Sequence, residues 1–356
     1  MTARVVHVAS GREWRGGQRQ IWLLARELTR MGVEQTVVTG AGTELARRLT
    51  GDNVRVREVR WTVGIDPRVV LAALGELRVG ASLLHAHDAH AVTLAGIAAG
   101  LAGKPFVATR RVDFHLRRGG FWRRAQRVIA ISRAVADVLA ADGIAADRVA
   151  IVPSGISLED ARATPSLGVR ARLGLPADAT IAANVAALVG HKDHPTLLRA
   201  ARALRDSMPS LHWVIAGEGP LRPGIELLRE ELGLGGHVHL LGHIPEPVRL
   251  IADADVYVMS SSQEGLGTTV LDAMAIGIPV ASTAAGGIPE MLSGGGGLLV
   301  PAGEFAALAD AVRSALTDST LRAALIDRAS TAVQRFTARR MAEDVLSVYR
   351  SCASFP

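Results

Sequence analysis

Short apolar runs rich in β-branched residues recur along this chain, and most are followed by a stretch of helical spacing. In the first half they are "RVVHVA" (4–9), "EQTVVT" (34–39), "VRVREV" (54–59), "SLLHAH" (82–87), "PFVAT" (105–109), "RVIAIS" (127–132) and "RVAIVP" (148–153). In the second half "TIAANVA" (180–186), "LHWVIAG" (211–217), "HVHLLG" (237–242), "ADVYVMS" (254–260), "IPVAS" (278–282) and "GLLVP" (297–301) repeat the rhythm. Such alternation implies parallel sheets with helices on both faces. Seven runs and then six predict two doubly wound α/β domains in series.

The two blocks are separated by "SGISLEDARATPSLGVRARLGLPADA" (154–179), which is polar, proline-bearing and poor in strand signal. The predicted domains are residues 1–160 and 175–336. After residue 303 the strand runs stop and only helical stretches follow. A length of 356 residues suits two domains. Hydrophobic content of 49% with 21% charged residues suits packed cores and excludes a disordered chain.

Composition narrows function as well. The single cysteine, Cys352, can build neither a disulfide nor a thiolate metal site within one chain, and it fits a reducing compartment. The N-terminal "MTARVVHVAS" lacks the apolar core and cleavage site of a signal peptide. The longest weakly polar run, "AVTLAGIAAGLAG" (91–103), is too short to span a bilayer. A cytoplasmic location is therefore expected. Net charge is +6, and lysine occurs only at Lys104 and Lys192. A lysine kept against an arginine background draws notice as a compact ammonium.

Ligands of open α/β sheets sit outside the carboxyl ends of the strands, so the loops there hold the candidates. After the first run, Gly16 and Gly17 precede an amphipathic helix. They are either a tight turn or a loop that lets a phosphate approach the helix N-terminus. The spacing is not G-x-G-x-x-G, so a dinucleotide fingerprint is absent. "NVAALVGHKDHPTLLRA" (184–200) puts Lys192 in a loop, as a solvated lysine or a point charge for a diphosphate. His191, Asp193 and His194 beside it lack a second ligand cluster, and no metal site is expected. "AGEGPLR" (216–222), with Gly217, and "LLGHIPE" (240–246), with His243 and Ile244, suit plain turns or backbone contacts to a nucleobase.

The stretch "SSQEGLGTTVLD" (261–272) carries the most chemistry. A helix capped by Thr268 or Thr269 is predicted, ending at Gly277 with Pro279 beyond. Glu264 stands at its mouth and can accept hydrogen bonds from hydroxyls. The amides from Gly265 through Leu266 and Gly267 to Thr268 face the ligand side, and Asp272 follows about one turn in. Two acids beside a positive helix end suit a nucleotide sugar; capping and a dipole-favoured acid are the plainer account. Glu290, in "STAAGGIPEML" (282–292), reads as first-turn helix chemistry.

"SSQEGLGTTVLDAMAIGIPVASTAAGGIPEML" followed by "GGLLVPAG" resembles the signature block of retaining GT-B glycosyltransferases of family 4. "VASGREWRGGQRQIWLLARELTRMGVE", "LHAHDAH", "VIAISRAVADVL", "IVPSGIS" and "LVGHKDHPTLLRA" are similar to that family's motifs and follow in its order. The resemblance covers essentially the whole chain. It implies two Rossmann-like domains facing a cleft, an acceptor side formed by the first, a donor side formed mainly by the second, and a last helix (337–356) packing back on the first. It also implies transfer of a sugar from a nucleotide diphosphate sugar to a glycan, glycolipid or lipopolysaccharide-type acceptor, with retention and without a metal or other cofactor.

By position, the resemblance gives Glu264 the donor sugar hydroxyls and Asp272 the ribose. Lys192, Gly16, Gly17 and the amides of Gly265 to Thr268 are given the diphosphate. Gly217, His243 and Ile244 border the base, and His87 and Arg111 join the catalytic set. Three departures stand out: the second acid is Asp272 where the family has Glu, Ala187 replaces an arginine, and "TRRVDFH" replaces a histidine after the fifth run. The arginine-rich segment 110–127, with Phe114, Phe121 and Trp122, is a solvated loop or a contact for an anionic membrane surface. The second option corresponds to peripheral attachment at the inner membrane. No nucleic-acid motif accompanies these charges. A sugar-nucleotide epimerase and a non-catalytic GT-B subunit that binds a sugar nucleotide are the alternative functions.

Overall fold

A computed structural model describes residues 4–61, 64–116, 120–353 and 355. Arg117 and Arg118 of the basic segment lie outside the described residues. The chain forms two compact units, Met1–Ser157 with Phe336–Pro356, and Leu158–Arg335.

The first unit is built on a seven-stranded parallel sheet: β1 Arg4–Ala9, β2 Glu34–Gly40, β3 Arg55–Val59, β4 Ala81–Ala86, β5 Phe106–Arg110, β6 Arg127–Ala130 and β7 Val149–Ile151. Their order is β3-β2-β1-β4-β5-β6-β7. Central strands are buried on both faces, which is why "RVVHVA" is a nearly unbroken apolar run, whereas the edge strand "RVREV" is mostly polar. The second unit holds β8 Thr180–Val185, β9 Leu211–Ala216, β10 Val238–Gly242, β11 Val256–Met259, β12 Val280–Thr283 and β13 Leu298–Val300. These run in the order β10-β9-β8-β11-β12-β13. All thirteen strands coincide with the runs read from sequence, and both sheets are parallel as expected.

One core of the first unit lies under two helices far apart in sequence. Leu23, Leu24 and Leu28 of the helix Gly16–Arg30 pack with Met341, Ala342, Val345 and Tyr349 of the C-terminal helix Ala338–Arg350, over Val5, Leu83, Val107 and Ile129 of the sheet. The C-terminal helix begins at a Thr337 cap whose hydroxyl accepts from the Arg340 amide. In the second unit, Trp213, Ile215 and Val238 meet Leu197, Leu198 and Leu204 of the helix His194–Arg205.

The stretch after residue 157, read from sequence as a boundary, is built into the second unit. It forms short helices at Leu158–Ala163 and Val169–Arg172. The Asp253 carboxylate accepts from the amides of Leu167 and Val169, and Arg170 pairs with Asp255 at 2.6 Å. Acids just before β11 therefore hold a segment whose own sequence carries no strand signal.

Gly155 lies tightly against the C-terminal segment. Its amide and carbonyl exchange two hydrogen bonds with the Gln20 side chain, at 3.0 and 2.8 Å. A Cβ there would stand 2.7 Å from both the Thr337 carbonyl oxygen and the Ala338 Cα. Backbone atoms cannot rotate away as a side chain can. Gly155→Ala should cost about 1–3 kcal/mol through overpacking, read as a lower urea midpoint with unfolding followed at the amides of the C-terminal helix.

Candidate functional site

In each sheet the chain adds two strands to one side of the first and then crosses to the other side. The loops after β8 and β11 therefore part at the centre of the second sheet, and those after β1 and β4 at the centre of the first. The chemistry-bearing side chains collect at these two places.

In the second unit the loop after β8 closes in a short 3-10 turn, Gly190–Lys192, and the loop after β11 carries Glu264. Backbone contacts join the loops. Ser262 donates its amide to the His191 carbonyl at 2.9 Å, and the Ser260 hydroxyl donates to the Lys192 carbonyl at 2.9 Å. Lys192 and Glu264, seventy-two residues apart, form an ion pair through Nζ and Oε2. Their side chains are only 16% and 14% exposed, so each charge depends on the other for compensation. The Ser261 hydroxyl donates to the same Oε2 at 3.3 Å. Behind Glu264, Gly286 adopts φ +50°, and a Cβ there would lie 1.5 Å from the Glu264 carbonyl oxygen. "AAGGIPE" thus needs its first glycine for close approach to the acidic loop.

The helix after that loop spans Thr268–Ile276 and ends at a left-handed Gly277, as the sequence indicates. Its N-cap differs from expectation: it is Gly267, at φ +86°, with no side-chain cap. Thr269 is instead hydrogen-bonded to the buried Tyr257 hydroxyl at 2.7 Å. The first turn itself carries no acidic residue. Asp272 is fully buried. It lies about one turn into the helix, as the sequence indicates. Burial raises the Tyr257 phenol, and the charges of Glu264 and Asp272 raise it further.

Gly217 belongs to this loop cluster, since a Cβ on it would collide with the Ala186 carbonyl oxygen at 1.9 Å. His243 and Ile244 follow the edge strand β10, two strands away from β8. His194, at the start of the helix His194–Arg205, is buried, and burial lowers it to about 4.

In the first unit Ser10, just after β1, donates its amide to Asp88 at 2.7 Å, and its hydroxyl bonds the same carboxylate. Asp88 also caps the helix Ala89–Ala102 through the Ala91 amide. Gly16 and Gly17 open the helix Gly16–Arg30, and a Cβ on Gly17 would touch the Arg111 Cδ at 3.9 Å. Trp14, just before them, stacks on the Arg48 guanidinium at 4.5 Å and meets Trp22 edge-on. Arg110 turns away to its own loop, donating to the Phe114 carbonyl at 2.5 Å. Arg111 points to His87, with Nη2 3.4 Å from Nδ1. Burial pulls this guanidinium down to about 10, so it stays charged at neutral pH.

Sequence reading stopped at His87 and missed its surroundings. His87 lies 2.8 Å from His7 by ring nitrogens, and the His85 and His87 ring centres are 4.0 Å apart. His85 is held by the Tyr349 and Thr109 hydroxyls, each at 2.6 Å. The available signal was period two: His85 and His87 share one face, and His7 is in register with His85. Among the described residues, these three histidines alone have ligand atoms close enough together to hold a metal ion. All are buried, and burial is the leading cause that keeps them neutral, with His7 at about 3.

Two doubly wound parallel sheets with charged and glycine-rich loops at both strand-order reversals define the class of fold. The family models make the class specific. Glycosyltransferase Family 4 matches residues 14–160, and Glycosyl transferases group 1 matches residues 169–332. The chain belongs to this glycosyltransferase family, and its fold is GT-B. The lipopolysaccharide core biosynthesis glycosyltransferase LpsE of Rhizobium meliloti is 33% identical over 51% of this chain and 53% of its own length. The match thus spans about half of that relative. A 2-deoxystreptamine glucosyltransferase of Streptomyces kanamyceticus is 28% identical over 85% of this chain and 89% of its own. Anabaena HepE, solved with UDP and glucose, shares the fold at a TM-score of 0.85 over 98% of this chain and all of its own, with 20% identity.

Histidines held neutral by burial make stability fall in acid. The unfolded chain takes up protons below about pH 6.5, while folded His7 does so only near 3. Stability is therefore complete above 6.5 and declines as pH falls, by up to about 1.4 kcal/mol per pH unit for each such histidine. Hydrogen exchange of β1 and β4 amides between neutral pH and about pH 5 should show that slope.

Proposed function

We propose that this protein is a retaining, metal-independent glycosyltransferase that uses a nucleotide diphosphate sugar and an acceptor on a glycan, glycolipid or lipopolysaccharide core. The observation that carries the reading is the Lys192–Glu264 pair, set where β8 and β11 part and beside a helix whose first turn carries no acid. Its chemistry suits a ligand with hydroxyls for a carboxylate and a diphosphate for an ammonium and helix amides. Family membership and the UDP and glucose bound by Anabaena HepE support the same class of donor.

The residue roles follow from charge. Glu264 accepts from donor sugar hydroxyls. Lys192 and the amides from Gly265 to Thr268 meet the diphosphate as negative charge gathers on the leaving group. The acceptor hydroxyl attacks the anomeric carbon on the face the diphosphate leaves. Its proton passes to the departing phosphate oxygen as the carbon–oxygen bond breaks, so no protein nucleophile is needed. The family resemblance also gives His87 and Arg111, which lie together in the first unit, a catalytic role.

Charge is divided between the units. The first holds 26 Lys and Arg against 15 Asp and Glu, a net +11; the second holds 14 against 19, a net −5. No helix among the described residues is long and apolar enough to cross a membrane. A strongly positive first unit favours an anionic acceptor or an anionic membrane surface, with peripheral attachment through the 110–127 segment. Co-sedimentation with phosphatidylglycerol vesicles but not phosphatidylcholine vesicles, lost at high salt, is the expected outcome; equal recovery with both would remove the membrane reading.

Incubation with a panel of nucleotide sugars should give donor-dependent nucleotide release, unchanged by a chelator and with the anomeric configuration kept in the product. Lys192→Ala and Glu264→Gln should each lower kcat/KM by about a hundredfold or more. Donor binding without turnover would point to a non-catalytic subunit, and unchanged turnover in both variants would remove the site assignment. Asp272→Glu adds one methylene to a buried acid. A gain in turnover would mean that Asp272 falls short of the ligand; a loss would mean a site fitted to Asp.

A further inference from the structure

Arg111 ends on a ring nitrogen, and this decides the direction of a buried hydrogen-bond chain. A guanidinium only donates. His87 Nδ1, 3.4 Å from Arg111 Nη2, must therefore be the bare acceptor. The His87 proton is then on Nε2, which faces His7 Nδ1 at 2.8 Å, so His7 Nδ1 is also bare and its proton sits on Nε2. Neither His7 Nε2 nor the neighbouring Gln35 Oε1 has a hydrogen-bond partner among the described residues, so the chain ends at His7. The Gln35 amide nitrogen donates to the Ala25 carbonyl at 2.6 Å and the Thr29 hydroxyl at 2.8 Å, both on the helix Gly16–Arg30. Each donor meets an acceptor from Arg111 through His87 to His7. Either ring in the other tautomer, or as an imidazolium, would set two donors against each other.

We propose that His7 is a positioning residue for the transferase site: by accepting from His87 it fixes the neutral Nε2–H tautomer that lets His87 hold the Arg111 guanidinium beside Gly17. This rests on the transferase reading for its consequence in turnover, not for its structure. The chain also explains how a largely enclosed arginine stays in place. Two imidazole dipoles aligned with their negative ends toward the guanidinium stabilise its charge, and the Asp88 carboxylate adds to this. The same geometry opposes the metal-binding use of these histidines. A cation bound by His7 Nδ1 and His87 Nε2 would break the central link and stand close to Arg111.

Long-range nitrogen–proton NMR of labelled protein reads the tautomers directly. Wild type should show His7 and His87 as neutral Nε2–H rings across pH 6–8. His7→Phe removes the acceptor, and His87 should then populate both tautomers. In that variant kcat should fall about tenfold with donor KM within about twofold. His7→Asn, whose amide oxygen can take the place of Nδ1, should restore the His87 tautomer and most of kcat. A wild-type His87 that is an imidazolium or an Nδ1–H ring overturns the proposal. So does equal loss of turnover in both variants with an unchanged His87 tautomer, which would mean packing alone. Equimolar Co2+ giving a ligand-field band that His7→Asn abolishes would also overturn it, because the rings would then be ligands. The tautomer measurement needs no turnover, so failure of the transferase reading leaves it decisive.

Discussion

Both halves of this chain obey the constraint that a parallel sheet grown outward from its first strand must at some point start again on the other side. The helices of the two directions lie on opposite faces, so the loops after the two central strands diverge and leave polar backbone uncovered. In the second sheet those loops carry Lys192 and Glu264; in the first they carry Ser10, His87 and Asp88. The glycines follow from the same crowding. Gly217 stands where one loop carbonyl approaches, and Gly286 where the Glu264 carbonyl does.

Lys192 and Glu264 bind the two loops of the second sheet to each other. Two opposite charges at about one-seventh exposure are each costly alone and tolerable together. On the proposed function, a ligand bearing hydroxyls and phosphate would satisfy both at once without leaving an uncompensated charge.

How much of this was legible from sequence depended on the range of the interaction. The strands were legible because a doubly buried strand must be apolar along its length, as "RVVHVA" and "DVYVMS" are. Gly277 and Pro279 announced a helix end because a left-handed residue and a missing donor act locally. The start of that helix was misread. Two threonines look like caps, yet Gly267 takes the cap in a left-handed conformation and Thr269 bonds a tyrosine on β11. The segment after residue 157 looked unattached because the acids that bind it, Asp253 and Asp255, come some eighty residues later. Lys192 and Glu264 were each singled out, but their pairing was visible only in the fold. Tyr349, which reaches His85 across 264 residues, left no local trace at all.

The buried histidines turn on a distinction that burial alone cannot make. Desolvation keeps an imidazole neutral, and a neutral imidazole suits both a metal ion and a hydrogen-bond chain. What separates the two is whether any neighbour has a fixed polarity. Hydroxyls, amides and imidazoles can each give or take, so the Tyr349–His85–Thr109 branch has no direction dictated by its members. Arg111 can only give. One such group at the end of a chain fixes every proton behind it, through His87 to His7. A single arginine after β5 thus converts two adaptable side chains into one ordered line into the core.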